Sequence, residues 1–473
     1  MTKEIVRQLD YIFKARSIAV IGASATPPKW GYMMVNTPLK TGYRGAIYPV
    51  NPREKNIEGL PCYPNVSEIP GDVDLAVIVV PAVTISAVMA ECAAKGVKGA
   101  VVITAGFAET GGEGRILQDE VVKIARAGGI RFVGPNCMGI WSSAARLNLS
   151  FDQPPLAGGI AFVSQSGTFG GSLAEIARIK GYGLSKFISI GNQADLEAAD
   201  YLEYLGEDED TKAIVFYMEG FRDGGRFFDV ARHVVRRKPI TIYKAGRKKA
   251  AARATISHTS SIAGSDEVFD SLCRQAGLIR VYEAEHSFDM AEALVSQPLP
   301  KGRRIAIIGS GGQGVVISDA CEGLGLEIPE LDGETRAKLK KGLPAHAPTP
   351  SNPVDFAGAL RTSLDEARVI ETLAQVDYID GIICNVPFYG FATGAVADVA
   401  RISIEGAAVL AAIPAKYGKP MITLKWRREG TDIIQDVMKS AHVPAYDTPE
   451  QCARAMYALV EYAQIRKISS EGE

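Results

Sequence analysis

The sequence has little of what extracellular or metal-dependent chemistry usually requires. Histidine occurs five times and tryptophan three times in 473 residues. The seven cysteines, at 62, 92, 137, 273, 321, 384 and 452, form no CxxC pair and have no histidine at zinc-ligand spacing. They read as reduced structural thiols, so no disulfide framework and no metal site is expected. Charge of either sign is not in excess: 52 Lys and Arg against 54 Asp and Glu leave a formal net charge of -2. That balance gives no long-range attraction for nucleic acid or an anionic membrane. Long apolar runs are also missing, and the opening MTKEIVRQLDYIF lacks the apolar stretch of a secretory signal. Together these absences predict a soluble cytoplasmic protein.

What is present is an ordinary folding composition, 47% hydrophobic and 22% charged. Short β-branched runs end in Gly or Pro and give way to helical patterns. Such runs are Ser17–Ile21, Ala46–Val50, Asp74–Val80, Ala100–Thr104 and Ile130–Val133. The pattern restarts with Gly159–Val163, Lys186–Ile190, Ala213–Met218 and Ile240–Tyr243. It starts again with Arg304–Ile308, Ile379–Asn385 and Met421–Lys425. Near-continuous apolar strands alternating with helices imply parallel sheets covered on both faces. Gln153-Pro154-Pro155 and Gln297-Pro298-Leu299-Pro300 interrupt both element types. The reading is three consecutive doubly wound α/β domains of Rossmann or flavodoxin type, over residues 1–152, 156–297 and 302–466.

Ligands of such sheets bind beyond the carboxyl ends of the strands, near helix N-termini. In the first domain the loops there are rich in small residues: Gly22, Ala23 and Ser24 with Lys29 downstream, Asn51-Pro52-Arg53, Val80-Pro81, Thr104-Ala105-Gly106, and Asn136 in a Gly-Pro-Asn-Cys turn. Their accumulation at one sheet edge predicts a groove for a long, nucleotide-tailed ligand. In the middle domain Ser166, Gly167 and Thr168 stand between strand and helix, an arrangement suited to phosphate. Glu219 is delivered to the same edge. His258 lies in the small-residue stretch Ser257-His258-Thr259-Ser260-Ser261-Ile262-Ala263-Gly264, where an imidazole can act as nucleophile toward phosphorus. In the third domain Gly309-Ser310-Gly311-Gly312-Gln313-Gly314 fits GxGxxG, with Glu327 or Glu330 at ribose-binding distance, and read alone it supports a dinucleotide site.

The ordered series IGAS, YPVNP, DLAVIVVPA, TAGFAE and GPNC resembles the coenzyme A-binding domain of the nucleoside-diphosphate-forming acyl-CoA synthetases. SQSGT resembles that family's phosphate-binding helix start, SHTSSIAG its phosphohistidine loop, and GSGGQG with NPVD its third domain in ADP-forming α subunits. The resemblance spans residues 10 to 465. It implies that His258 carries the phosphoryl group and that Glu219 stabilises it. It also implies coenzyme A, phosphate and a carboxylic acid as substrates, with Mg-ADP or Mg-ATP bound mainly by a separate ATP-grasp β subunit, as an α2β2 assembly. Ser260 departs from the His-Thr-Gly usual in ADP-forming relatives. Two other readings are a coenzyme A-binding regulatory protein without ligase activity and an NAD-dependent dehydrogenase.

Overall fold

The computed structural model describes residues 3–253, 265–309, 311–343, 345–356, 363–385, 397–425 and 432–471. They form two compact units, Met1–Ser287 and Phe288–Glu473.

The first unit contains two sheets. One is wholly parallel, in the spatial order Ala46–Val50, Ser17–Ile21, Leu75–Ile78, Gly99–Val102, Arg131–Val133. Every residue of Ser17–Ile21, Leu75–Ile78 and Gly99–Val102 is buried. That explains why these strands read as unbroken apolar runs: helices cover both faces. Each buried Val, Ile or Leu contributes about 1.5–3 kcal/mol. The other sheet runs Ile279–Val281, Ile240–Lys244, Ala213–Met218, Leu156–Ser164, Gly183–Ser189, then the antiparallel pair Ile140–Ser142 and Leu147–Asn148. That antiparallel pair precedes the proline break at 154–155, yet it hydrogen-bonds to the second sheet.

The second unit holds one parallel sheet in the order Val354–Asp355, Ile305–Gly309, Gly381–Asn385, Met421–Leu424, Ala445–Tyr446. The parallel strands of all three sheets follow one spatial sequence: second, first, third, fourth, fifth. The chain reverses direction across the sheet between the first and third strands, and this is where a doubly wound fold opens a ligand crevice. No described helix is long and apolar enough to cross a membrane.

Candidate active-site cleft

At the reversal point of the first sheet, the turns after Ser17–Ile21 and Leu75–Ile78 meet. Gly22 has φ +90, and a Cβ there would lie 2.8 Å from the Val79 carbonyl oxygen. The helix Trp30–Lys40 comes closer still: a Cβ on Gly31 would be 2.1 Å from the Gly22 oxygen. Glycine is required at both positions because backbone fills the space. The Gly22 and Ala23 N–H groups donate to the Val50 carbonyl at 3.0 and 3.2 Å. Asn51 Nδ2 donates to the Ala23 carbonyl at 2.7 Å, while its Oδ1 accepts from Arg53 N at 2.9 Å. These residues lock the first two loops together. Lys29, Pro52, Arg53 and Pro81 are exposed around them.

At the reversal point of the second sheet, Ser166 caps the helix Gly167–Lys180, its Oγ accepting from Phe169 N. Ser164 Oγ donates to the Ser166 carbonyl at 2.7 Å. A Cβ on Gly170 would sit 2.4 Å from that hydroxyl, which is why a small residue follows the cap. Gln165 is 4% exposed, and its Oε1 accepts from both Glu219 N at 2.8 Å and Gly220 N at 3.0 Å. Two donors on one oxygen fix the amide orientation. Gln165 Nε2 therefore faces away from them, and it has no partner among the described residues. Glu219 is itself buried, 5% exposed, at the end of Ala213–Met218.

The two edges face each other across a cleft of about 400 Å³. The first sheet contributes Trp30, Val79, Ile103, Thr104, Ala105, Asn136, Cys137 and Met138. The second contributes Gln165, Ser166, Gly167, Thr168, Gly191 and Asn192. Of the residues singled out in the sequence, the cleft brings together Thr104, Ala105, Asn136, Ser166, Gly167 and Thr168. Gly22, Ala23, Ser24, Lys29, Asn51, Pro52, Arg53, Val80, Pro81 and Gly106 belong to the surrounding loops, and Glu219 lies behind Gln165. His258 lies outside the described residues. Gln165 and Asn192 line the cleft but were not among the sequence candidates. Gln165 stood inside SQSGT, and Asn192 inside the short polar turn Gly191-Asn192-Gln193.

Several contacts hold the cleft walls in register. Gly191, at φ +53, packs its backbone on the opposite turn, where a Cβ would be 2.2 Å from the Pro135 oxygen. Asn192 Nδ2 donates to Glu109 Oε2 at 2.5 Å and to Gln118 Oε1 at 3.1 Å. Glu109 Oε1 accepts from Gly106 N and Phe107 N at 2.6 and 3.1 Å. Burial opposes the charge on Glu109, but these hydrogen bonds outweigh it and hold its pKa below the usual value. Behind them Asp195 accepts from Arg126 Nε and Arg131 Nε, both at 2.8 Å, and from Phe132 N at 3.0 Å.

None of the fourteen residues around the cleft is charged. An anion here would be held by neutral donors and by the start of the helix Gly167–Lys180, which carries roughly half a positive charge. Burial pushes the Cys137 thiol up to about 12, so the cleft wall offers no thiolate nucleophile.

The glycine turn of the third sheet is built differently from a dinucleotide site. Gly311 N donates to Asp355 Oδ1 at 3.1 Å, and Asn385 Nδ2 to Gln313 Oε1 at 2.6 Å. Glu327 pairs with Arg304 in an isolated bridge, before the start of Ile305–Gly309. Glu330 follows Pro329, whose carbonyl accepts from the same Asn352 amide that donates to Ile305. Both acids thus associate with the amino end of the strand, whereas a ribose-binding acid belongs at the carboxyl edge.

Comparison with known proteins agrees with this architecture. Residues 16–142 match the CoA binding domain family, and residues 157–294 match the succinyl-CoA ligase like flavodoxin domain. The chain is 40% identical over 459 residues to the Pyrococcus furiosus acetate–CoA ligase [ADP-forming] II subunit alpha, covering 96% of this chain and 98% of that one. It is 37% identical to the Archaeoglobus fulgidus acetate–CoA ligase [ADP-forming] I, covering 97% of this chain and 64% of the relative. The Candidatus Korarchaeum cryptofilum dinucleotide-forming acetyl-coenzyme A synthetase 1, solved with phosphate and ADP, superposes with a TM-score of 0.87 at 33% identity, covering 98% of each chain. With a coenzyme A-binding sheet and a ligase-type flavodoxin sheet sharing one neutral cleft, and with this likeness running the length of the chain, the protein belongs to the ADP-forming acyl-CoA synthetase family.

Proposed function

We propose that the chain is the α subunit of an ADP-forming acid–thiol ligase, interconverting acyl-CoA, phosphate and ADP with carboxylic acid, coenzyme A and ATP. The observation that carries this reading is the shared cleft. Loops of the coenzyme A-binding sheet and the phosphate-type helix start of the second sheet line one uncharged cavity. A thioester and an inorganic phosphate would therefore meet without passing through bulk water.

The first step joins a phosphate oxygen to the thioester carbonyl carbon. The C–S bond breaks, and sulfur leaves with the electron pair and takes up a proton as free coenzyme A. The Gly167 and Thr168 N–H groups and Gln165 Nε2 are the donors suited to the phosphate charge, acting by prior orientation. In the second step an imidazole nitrogen of His258 attacks phosphorus, and the P–O bond to the acyl oxygen breaks, the electron pair leaving with the carboxylate. Glu219 compensates the charge on the imidazole. Finally an ADP β-phosphate oxygen takes the phosphoryl group and regenerates His258. Positioning and charge stabilisation dominate such transfers.

Nucleotide and Mg²⁺ would reside mainly on an ATP-grasp β subunit in an α2β2 assembly. Two facts support a partner: one relative is named an alpha subunit and is matched over 98% of its length, while this chain spans only 64% of the Archaeoglobus relative, whose name carries no subunit designation. The three-domain partition 1–152, 156–297 and 302–466 is retained in this reading, with five parallel strands in each domain and the pair Ile140–Ser142 and Leu147–Asn148 crossing from the first domain to the second sheet, as is the cytoplasmic setting. Because the described residues of the cleft wall include no cation for a second carboxylate, the acyl group is read as that of a monocarboxylic acid.

The test is mass spectrometry of the full chain incubated with phosphate and a panel of acyl-CoAs at alkaline pH, with His258→Ala alongside. An acid-labile phosphate on His258 that requires an acyl-CoA is the expected result. No phosphate, even with the β subunit and Mg-ATP supplied, would leave a coenzyme A-binding protein without ligase chemistry.

A further inference from the structure

The turn between the strands Arg131–Val133 and Ile140–Ser142 passes from the first sheet to the second, and Met138 within it lines the cleft. The backbone is fixed there from both sides. Asn136 N donates to the Thr104 carbonyl at 2.9 Å, and Met138 N donates to Ser189 Oγ at 2.9 Å. The Gly139 carbonyl accepts from Ser189 N at 3.0 Å, and a Cβ on Gly139 would lie 1.9 Å from the Leu149 oxygen. The two sheets therefore set where the Met138 side chain begins.

That side chain lies along the first turn of the helix Gly167–Lys180, the turn whose N–H groups suit phosphate. A Cβ on Gly167 would be 2.8 Å from Met138 Cγ and 3.3 Å from Met138 Cβ. A Cβ on Gly171 would be 3.4 Å from Met138 Cε and 3.7 Å from its sulfur. The near end of the methionine thus packs on the first residue of the helix, and the far end packs one turn later. Gly167 does not have a positive φ. Its missing side chain is explained by the room Met138 takes.

Attack on a thioester brings a phosphate oxygen to about 3–3.5 Å from the carbonyl carbon. With phosphate on the Gly167 and Thr168 N–H groups, that carbon stands beside the helix start, where Met138 packs from the first-sheet wall. The two halves of the side chain then act differently on the acyl group. Cβ and Cγ, next to the fixed backbone, limit the width beside the carbonyl, where a branch on the adjacent carbon would stand. The sulfur and Cε lie beyond further rotatable bonds and can yield to a longer straight chain.

We propose that Met138 is a specificity-determining residue for the acyl group, admitting straight aliphatic chains and rejecting those branched next to the thioester carbonyl. The proposal rests on the ligase reading of the cleft.

The test measures coenzyme A release from acetyl-, butyryl- and isobutyryl-CoA with phosphate, using the full chain with its nucleotide-binding subunit, as ratios of kcat/KM. Butyryl and isobutyryl are isomers, so their ratio reports shape. The parent should use isobutyryl-CoA about tenfold less well than butyryl-CoA, or worse. Met138→Ala removes Cγ, sulfur and Cε and should raise the isobutyryl-to-butyryl ratio about tenfold. Met138→Leu conserves volume, so it should fold like the parent. It keeps a Cγ but has a stiff, branched end, and should lower the butyryl-to-acetyl ratio severalfold while isobutyryl stays rejected. A parent that treats the isomers alike, or an unchanged isomer ratio in Met138→Ala, would overturn the proposal. Should Met138→Ala fail to fold, an unchanged butyryl-to-acetyl ratio in Met138→Leu overturns it. Calorimetric affinities for the three thioesters without phosphate should follow the same order. If the parent releases no coenzyme A from any of them but the affinities shift as described, the role of Met138 stands and the ligase reading falls. If all three turn over and no ratio responds to substitution, the ligase reading stands and the role of Met138 falls.

Discussion

Gln165 is the residue whose replacement best separates binding from scaffolding. Its Oε1 holds two buried backbone N–H groups, those of Glu219 and Gly220, and its Nε2 faces the cleft. Gln165→Glu keeps an acceptor for both N–H groups, and bonds to an ionised acceptor are roughly twice as strong as neutral ones. The fold should therefore survive. On the cleft side the same change replaces an N–H donor with a carboxylate oxygen facing the incoming phosphate. Loss of a hydrogen bond to a charged group costs about 1.5–3 kcal/mol, and like-charge repulsion adds to this. Acyl phosphate formation should fall by roughly 10²-fold or more, since each 1.36 kcal/mol is a factor of ten. Gln165→Met is the complement: it strands two buried donors at about 1–3 kcal/mol each and should unfold earlier in urea. The assays are coenzyme A release from acetyl-CoA and phosphate, and equilibrium unfolding. Parent-like turnover in Gln165→Glu would refute the assignment of Nε2 to the phosphate.

Gly191→Ala puts a Cβ 2.2 Å from the Pro135 oxygen and 2.5 Å from the Asn136 oxygen, at φ +53. It should cost more than about 1–3 kcal/mol and weaken coenzyme A binding, read by denaturation and calorimetry. Asp195→Asn takes from Arg131, 19% exposed, its carboxylate at 2.8 Å and leaves it Asp200 at 3.9 Å. Breaking one partner of a buried pair predicts a loss of about 3–5 kcal/mol in urea unfolding, with His258 labelling retained once folded. The Glu109 pKa is depressed in the fold, so its contribution is present above the unfolded value, near 4.3, and disappears as pH falls through the folded value. Glu109→Gln should accordingly be less stable than the parent at pH 7 and converge with it toward pH 3. Convergence already at pH 7 would reject that linkage. Succinyl-CoA should be a poor substrate beside acetyl-CoA, and equal turnover would contradict the monocarboxylate reading.

The strands that carry the site were legible because parallel strands buried on both faces are apolar throughout. Ser17–Ile21, Ala46–Val50 and Ala213–Met218 were read to the residue. The short edge strands were not. Val354–Asp355, Ala445–Tyr446 and Leu147–Asn148 have two residues each, too few for any period to show. The pairing of Ile140–Ser142 with the second sheet was hidden for another reason: a proline pair looks like a boundary in the sequence, but the antiparallel pair before it crosses over. The site was legible as a set of turns. Which turns face inward was not, because that depends on contacts between distant segments. Asn51, a sequence candidate for ligand contact, also ties its own loop to Ala23, and Asn192, 56 residues from Asn136 along the chain, joins it in the cleft.

The repeated strand order explains why these distant segments converge. In each sheet the first and third strands are neighbours, so the turns after them are adjacent however much sequence separates them. In the first sheet that adjacency forces Gly22 against Val79, and in the second it brings Gln165 to Glu219. In the third it brings Gln313 to Asn385. The same topology thus produced three pairs of adjacent turns, and side chains distinguish them. Among the described residues, a backbone-lined crevice facing a helix start with a free amide donor occurs in the first unit, where two such edges oppose each other. In the third sheet Asn385 Nδ2 is taken by Gln313 Oε1 and Gly311 N by Asp355. A GxGxxG spacing therefore specifies the backbone turn, and the residues meeting it from the neighbouring strand determine whether a dinucleotide can bind there.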